Sequence, residues 1–139
     1  MPTPGRSGYN ASKLRVEDVS SDKTIAAHES GEVYIVSGSS AIELTLPSAA
    51  SGRYIKVMSH PLAAMELTCS AANSSEVFAG NVFNYKNSAG NVEVLGFEGT
   101  AYRMSGTCDG TTLSVEFIAD GTRWFVNGYA TGSAWGVGV

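Results

Sequence analysis

Two histidines, two cysteines and a group of glutamates are the side chains of this sequence whose types could do chemistry. His28 ends the stretch KTIAAH and His60 lies in MSHPL. A histidine base needs a nucleophile and a carboxylate arranged around it, and a zinc centre needs three or four ligands. Neither histidine belongs to such an arrangement, so we interpret both as surface or loop residues.

The glutamates suggest acid-base chemistry only if the fold pairs them. A glycosidase needs two carboxyl groups about 5–9 Å apart, and sequence alone does not reveal such a pair. The candidates fall on the polar side of predicted strands, where a solvated face is expected: Glu43, Glu66, Glu93 and Glu116. We therefore predict a protein that is not an enzyme and that uses no cofactor or metal.

The two cysteines fit a reducing compartment. Cys69 lies in MELTCS on the same strand face as Met65 and Leu67, which indicates a small core residue, and Cys108 lies in the turn sequence GTCDGTT. A disulfide between them is possible but not implied. No further ligands accompany them at the spacing of a zinc site.

The segments that would position these residues have the pattern of β-strands. AIELTLP places Ile42, Leu44 and Leu46 on one face, and RYIKVMS and TLSVEFIAD alternate in the same way. Turn-forming sequences such as ESGE, PSAASG and NSAG separate the candidate strands, which recur about every 10 residues. We predict an all-β fold, an antiparallel β-sandwich or flattened barrel of about eight to ten strands, jelly-roll-like in form.

The stretch DGTRWFVNG predicts the last hairpin of this fold. Asp120-Gly121 supplies the turn, and the returning strand buries Trp124 and Val126 on one face, so these four residues form a core hairpin. Phe125 then faces outward near Ile118. An apolar ring on the outer face suggests a surface that another subunit covers.

The two ends of the chain differ from the middle. Residues 1–20 carry few apolar anchors and predict an extended arm, whereas residues 21–139 form the sandwich and end in the apolar stretch GSAWGVGV. We expect a homo-oligomer, a trimer, because apolar residues remain after the core is assigned. The residues predicted to contact other subunits or a larger particle are Leu14, Val16, Val19, Phe125 and Trp135.

Composition excludes two classes of partner. The chain has 139 residues and a net charge of −4, without a basic run, which gives no attraction to nucleic acid. It has no apolar stretch of the ~20 residues that span a membrane and no signal-peptide core at its start, so we expect synthesis and folding in the cytoplasm.

Residues 24–128 resemble the small β-modules of tailed-phage virion proteins. The resemblance rests on EVYIVSGSSAIELTLPSAASGRYIKVM and, far downstream, LSVEFIADGTRWFVNG. Head decoration (cement, or head auxiliary) proteins and tail-fibre modules both use this pattern of strands and turns. A short chain with one module and an arm is more similar to a capsid decoration protein.

The resemblance implies a structural protein on the outside of a phage head. Its partner would be the major capsid protein, its site the capsid surface of the virion, and its effect stabilisation of the shell. The alternative is a tail-fibre or receptor-binding module that holds carbohydrate on aromatic platforms, for which the candidates are Tyr54, Tyr85, Phe125 and Tyr129.

Overall fold

The computed structural model describes residues 15–86, 91–131 and 135–138. These residues form a 3-10 helix (Ala27–Glu29) and twelve strands: β1 (Arg15–Val19), β2 (Lys23–Thr24), β3 (Glu32–Val36), β4 (Ile42–Thr45), β5 (Tyr54–Ser59), β6 (Ala64–Ser70), β7 (Phe78–Lys86), β8 (Asn91–Glu98), β9 (Arg103–Asp109), β10 (Leu113–Ala119), β11 (Trp124–Thr131) and β12 (Gly136–Gly138). No helix in these ranges is long and apolar enough to cross a membrane.

The strands form two mixed sheets that pack face to face. One has seven strands in the order β1-β3-β5-β10-β11-β7-β8, and the other has five in the order β12-β9-β6-β4-β2. Because each strand alternates apolar and polar residues, one face of each sheet is buried between the layers. The predicted all-β sandwich is confirmed.

The first six strands wind as a coil between the two layers. β1, β3 and β5 lie side by side in the seven-stranded sheet, and β2, β4 and β6 lie side by side in the five-stranded sheet. All four pairings within these two sets are parallel. A parallel neighbour requires a crossover between the paired strands, and here each crossover is itself a strand of the opposite sheet.

The expected antiparallel pairing therefore describes only part of the fold. It holds for the hairpins β7–β8 and β10–β11 and for the pairs β5–β10, β6–β9 and β9–β12. It is wrong for the coil, and also for β7 and β11, which pair in parallel. Period-two alternation identifies a strand but does not say to which sheet the next strand belongs.

The structure places the residues of the predicted core hairpin at the turn between β10 and β11 and on the returning strand. Trp124 is fully buried and Val126 is 1% exposed. Asp120 Oδ1 accepts hydrogen bonds from the backbone N–H groups of Thr122, at 2.9 Å, and Arg123, at 2.8 Å. Within this turn only Gly121 has a positive φ, of 109°, so the acidic side chain shapes the turn and the glycine supplies its left-handed residue.

Two residues predicted to contact other molecules belong to the core instead. Val19, at the end of β1, is 3% exposed, and Trp135, just before β12, is 5% exposed. The indole of Trp135 lies on Gly106 so closely that a Cβ atom at that position would overlap the ring. Trp135 is therefore part of the core of its own sandwich because Gly106 leaves space for the ring.

The sandwich begins before residue 21, the boundary that the sequence predicts between arm and sandwich. Arg15–Val19 form the edge strand β1 and pair with β3 over their whole length. Residues 1–14, including Leu14, lie outside the described residues. The sandwich thus includes residues 15–20, which the sequence assigned to the arm.

Candidate interaction surface

The two outer faces of the sandwich have opposite character. The five-stranded sheet presents polar side chains outward: Glu43, Glu66, Thr68, Arg103, Ser105, Thr107 and Asp109. The seven-stranded sheet presents many apolar side chains outward on β7, β8, β10 and β11. The same chain therefore has one polar outer face suited to solvent and one apolar outer face suited to contact with another protein.

Two rows of apolar side chains run across the strands of the seven-stranded sheet. In the first row Ile118 and Phe125 are register partners on β10 and β11. In the second row Tyr129, Phe83 and Val94 are successive partners on β11, β7 and β8, and Tyr85 and Val92 extend it. Phe83 is 55% exposed and Tyr129 52%. We call these seven residues the outer apolar face.

A polar row separates the two apolar rows. Across the strands it consists of Lys56, Glu116, Asn127 and Asn81. The Lys56 ammonium lies 4.0 Å from the Glu116 carboxylate, so the charges of this row compensate one another. Burial, together with the charge of Glu116 and a hydrogen bond to it, raises the pKa of the Tyr54 hydroxyl at the end of the first row.

The predicted contact and platform residues can now be located. Phe125 lies on the outer apolar face, 43% exposed, as the hairpin predicted. Val16 is 57% exposed on β1, near the other edge of the same sheet. The four aromatic residues proposed as carbohydrate platforms all lie on this outer side of the seven-stranded sheet: Tyr54, Tyr85, Phe125 and Tyr129.

Sequence reasoning missed Phe83, Val92 and Val94. In the stretch VFNYK the ordinary expectation buries the aromatic residues and exposes the amide between them. The structure does the reverse, since Asn84 is fully buried while Phe83 and Tyr85 are about half exposed. The earlier residues of the strand could have revealed this. Phe78 and Val82 are buried, and Asn84 points to the same face because it lies an even number of positions from each of them.

A second cluster of polar side chains lies where the coil begins. Lys23 Nζ lies 2.9 Å from Glu17 and 3.1 Å from Glu29, and Arg15 Nη1 lies 3.0 Å from Glu32. The Tyr34 hydroxyl is 3.2 Å from Glu29 and 3.0 Å from Glu32. These residues lie at the inner side of β1, at the first winding of the coil. We call them the ionic network: Arg15, Glu17, Lys23, Glu29, Glu32 and Tyr34.

Within the part of the chain that the structure describes, three glutamates of this ionic network have the spacing of a metal site. Carboxylate oxygens of Glu17, Glu29 and Glu32 lie within 4.8 Å of one another. The Lys23 ammonium already contacts the carboxylates of Glu17 and Glu29, and the Arg15 guanidinium contacts that of Glu32, so two cations offset most of the charge of the three carboxylates. We interpret the cluster as a structural cap of the coil, because a polar end closes a stack of strands against solvent.

The thiols and histidines take no part in a catalytic arrangement among the described residues. Cys69 and Cys108 are free and buried. Burial raises the pKa of Cys108 to about 11 and raises that of Cys69 further, so both are thiols at neutral pH and poor nucleophiles. His28 is exposed in the 3-10 helix, and His60 Nδ1 accepts a hydrogen bond from the Leu62 backbone N–H at 3.0 Å.

Comparison of the chain with protein-family models, with curated proteins and with solved structures gives no match.

Proposed function

We propose that this chain is a structural protein of a tailed-phage virion, a decoration protein that binds the outside of the head and stabilises it without catalysis. The observation that supports it most is the outer apolar face. Exposed apolar surface of this size costs free energy in water, and the cost is recovered when another protein covers it. A subunit of an assembly needs such a surface.

The polar face of the five-stranded sheet strengthens this argument. Its two longest strands, β6 and β9, alternate buried and exposed residues as the strands of the other sheet do, yet their outward residues, apart from Ala64, are polar or charged. The apolar residues on the other side are therefore not a general property of this sequence. Their placement on one side fits a subunit with one covered surface and one that faces solvent.

The contact with the shell is proposed at the N-terminal edge. β1 is an edge strand, and Arg15, Val16 and Asp18 are exposed on it. The backbone groups on the free side of an edge strand are available for pairing with an extended segment of another protein. We propose that residues 1–14 and the edge of β1 together bind the major capsid protein on the capsid surface.

The test is a truncation at a position that the structure selects. Removing residues 1–14 leaves β1 and the buried Val19 in place, so the variant should fold and yet fail to co-sediment with undecorated capsids. The double variant Glu66→Ala/Thr107→Ala, on the polar face, should bind like the full chain. Binding of the truncated chain at full affinity would overturn the proposed role of the N-terminal segment.

A carbohydrate-binding module is the second candidate function. Asn81 and Asn127 place amide groups beside Phe83 and Tyr129, and rings next to hydrogen-bonding amides are the usual components of a sugar site. A glycan array would give specific binding that is lost in the Tyr129→Thr variant. Location of the protein on tails and not on heads would favour this function over decoration.

A further inference from the structure

We infer that the outer apolar face binds the same face of a second copy of this chain about a two-fold axis. The inference deepens the proposed assembly role and rests on it in taking this face to be a protein-binding surface. The partner that covers this face is a second copy of the same chain.

The size of the face matches what such a pair requires. Its seven side chains are between 40% and 59% exposed. With side-chain areas of about 150–250 Å², they present roughly 600 Å² of apolar surface, the upper end for a monomer. The half-buried Tyr54 and Met58 at its margin bring one side close to the ~800 Å² of a standard interface.

The charges of the face permit association with an identical surface. Over β7, β10 and β11, the described outward side chains include one charged group, Glu116, which pairs with Lys56 of β5. Glu98 stands at the rim, on the edge strand β8. A surface with a net charge repels its own copy, whereas this centre is neutral.

The order of the rows fits two-fold symmetry. The polar row with Asn81 and Asn127 lies between the Phe125 row and the Tyr129 row. A two-fold axis along the polar row would place the Phe125 row of one copy on the Tyr129 row of the other. Asn127 would then meet its own counterpart, and an amide can do so because it carries both donors and an acceptor. Glu116 and Lys56 of the same row would also face their own counterparts, so the two ion pairs would form one group of four charges with no net charge.

A closed trimer through this face would need a different surface to receive it. Among the described residues the opposite sheet is polar on its outer side. The exposed large apolar residues outside the outer apolar face lie apart from one another, Val16 on β1, Leu62 in the β5–β6 turn and Val137 on β12. Self-pairing of the one apolar face needs no such second surface. The trimer expected from the sequence stays a separate prediction, which the same measurement tests.

Analytical ultracentrifugation of the purified full chain tests the pair without capsids. We expect a mass of twice 14.5 kDa, and at least about tenfold weaker association in the double variant Phe83→Thr/Tyr129→Thr, since central aromatic residues dominate interfaces. Threonine favours strands, so the sheet is retained, which circular dichroism confirms. Glu66→Ala/Thr107→Ala on the polar face should leave the mass unchanged.

Cross-linking gives a result that does not depend on the aromatic variants. Asn127→Cys places a thiol next to the proposed axis, and mild oxidation should join two copies, because the native cysteines are buried. Thr107→Cys on the opposite sheet should give no such product. A monomer at all concentrations, an oligomer unaffected by Phe83→Thr/Tyr129→Thr, or a trimer would each overturn the two-fold pair.

Capsid binding separates this inference from the proposed function. Capsid co-sedimentation of a monomeric wild-type chain would refute the pair and leave decoration in place. A wild-type pair that never binds capsids would refute decoration and leave the pair in place. Glycan binding to a monomeric face would identify the aromatic rows as a sugar site and overturn the pair.

Discussion

Lys23 holds together the residues that close the first winding of the coil. Hydrogen bonding to Glu17 raises its pKa, partial burial opposes the rise, and Glu29 adds to it. Burial opposes ionisation of Glu29, but the backbone N–H of Ala26 and the Lys23 ammonium outweigh it and lower the pKa of that carboxyl. Each charged form is therefore stabilised by folding.

Replacement of Lys23 by Met should destabilise the fold. Glu17 and Glu29 would lose their shared cation in a partly buried place, which costs roughly 1–3 kcal/mol of unfolding free energy. Urea titrations of the variant and the wild type measure the difference. Arg123→Met, which removes an exposed pair with Asp120, should cost less than about 1 kcal/mol, and an equal loss in both variants would contradict the argument.

The same pKa shifts fix the pH dependence of the Lys23 contribution. The lowered pKa of Glu29 gives stability that is present above its ordinary value of 4.5 and is lost as the pH falls through the folded value. The raised pKa of Lys23 gives stability that is present below 10.5 and is lost as the pH rises through the folded value. The difference between wild type and Lys23→Met should thus be greatest near neutral pH and shrink in acid and alkali.

Gly106→Ala should release the C-terminal strand. The new Cβ would overlap the buried Trp135 ring, and overpacking of this kind typically costs about 1–3 kcal/mol. A lower melting temperature and a red-shifted tryptophan emission should report it. Gly136→Ala is the matched control, because nothing lies within 4 Å of a Cβ at that position; an unchanged emission in Gly106→Ala would place Trp135 elsewhere.

At this scale the sequence predicts turn residues better than it predicts exposure. The Asp120-Gly121 turn depends on its own residues, so local chemistry sufficed for Trp124 and Val126. The sequence predicts Trp135 and Val19 as contact residues because their neighbours in the chain are small or charged. Their burial depends on Gly106 and on the coil, which are distant in sequence.

At the scale of elements, the strands could be predicted and their partners could not. Alternation located the strands that include Ile42–Thr45, Tyr54–Ser59 and Leu113–Ala119. The hairpin β10–β11 followed from its turn. The parallel coil did not, because each of its pairings joins residues a full winding apart, and no local signal marks a crossover into the opposite sheet.

The edge strand β1 gives an element-scale prediction. Deletion of residues 1–20 removes Val19 from the core and Glu17 from Lys23, whereas deletion of residues 1–14 removes neither. Loss of one buried valine alone costs about 1.5 kcal/mol or more. Chemical denaturation should find the longer deletion clearly less stable than the shorter one, and equal stabilities would return residues 15–20 to the arm.

At the scale of the whole molecule, composition was enough for the class of fold. Few charges, many glycines and regular turns predicted a β-sandwich because long surface helices need a charged side. Of the outer apolar face, the sequence pointed to Ile118, Phe125, Tyr85 and Tyr129, whereas Phe83, Val92 and Val94 join it through the register that brings β7, β8 and β11 together. The virion role remains a prediction that capsid binding will test.

The coil and the remaining strands meet through one pairing in each sheet, β5 with β10 and β6 with β9. Residues 72–75, in the loop between β6 and β7, are exposed. The chain can therefore be cut after Ser74 without breaking a strand. Fragments 1–74 and 75–139 should each be insoluble alone, because each leaves half a core uncovered, and should recover the native spectrum when co-expressed. The protein would then behave as two complementary pieces, so that a label or cargo fused at the cut would lie at a seam of the sandwich and leave both outer faces free.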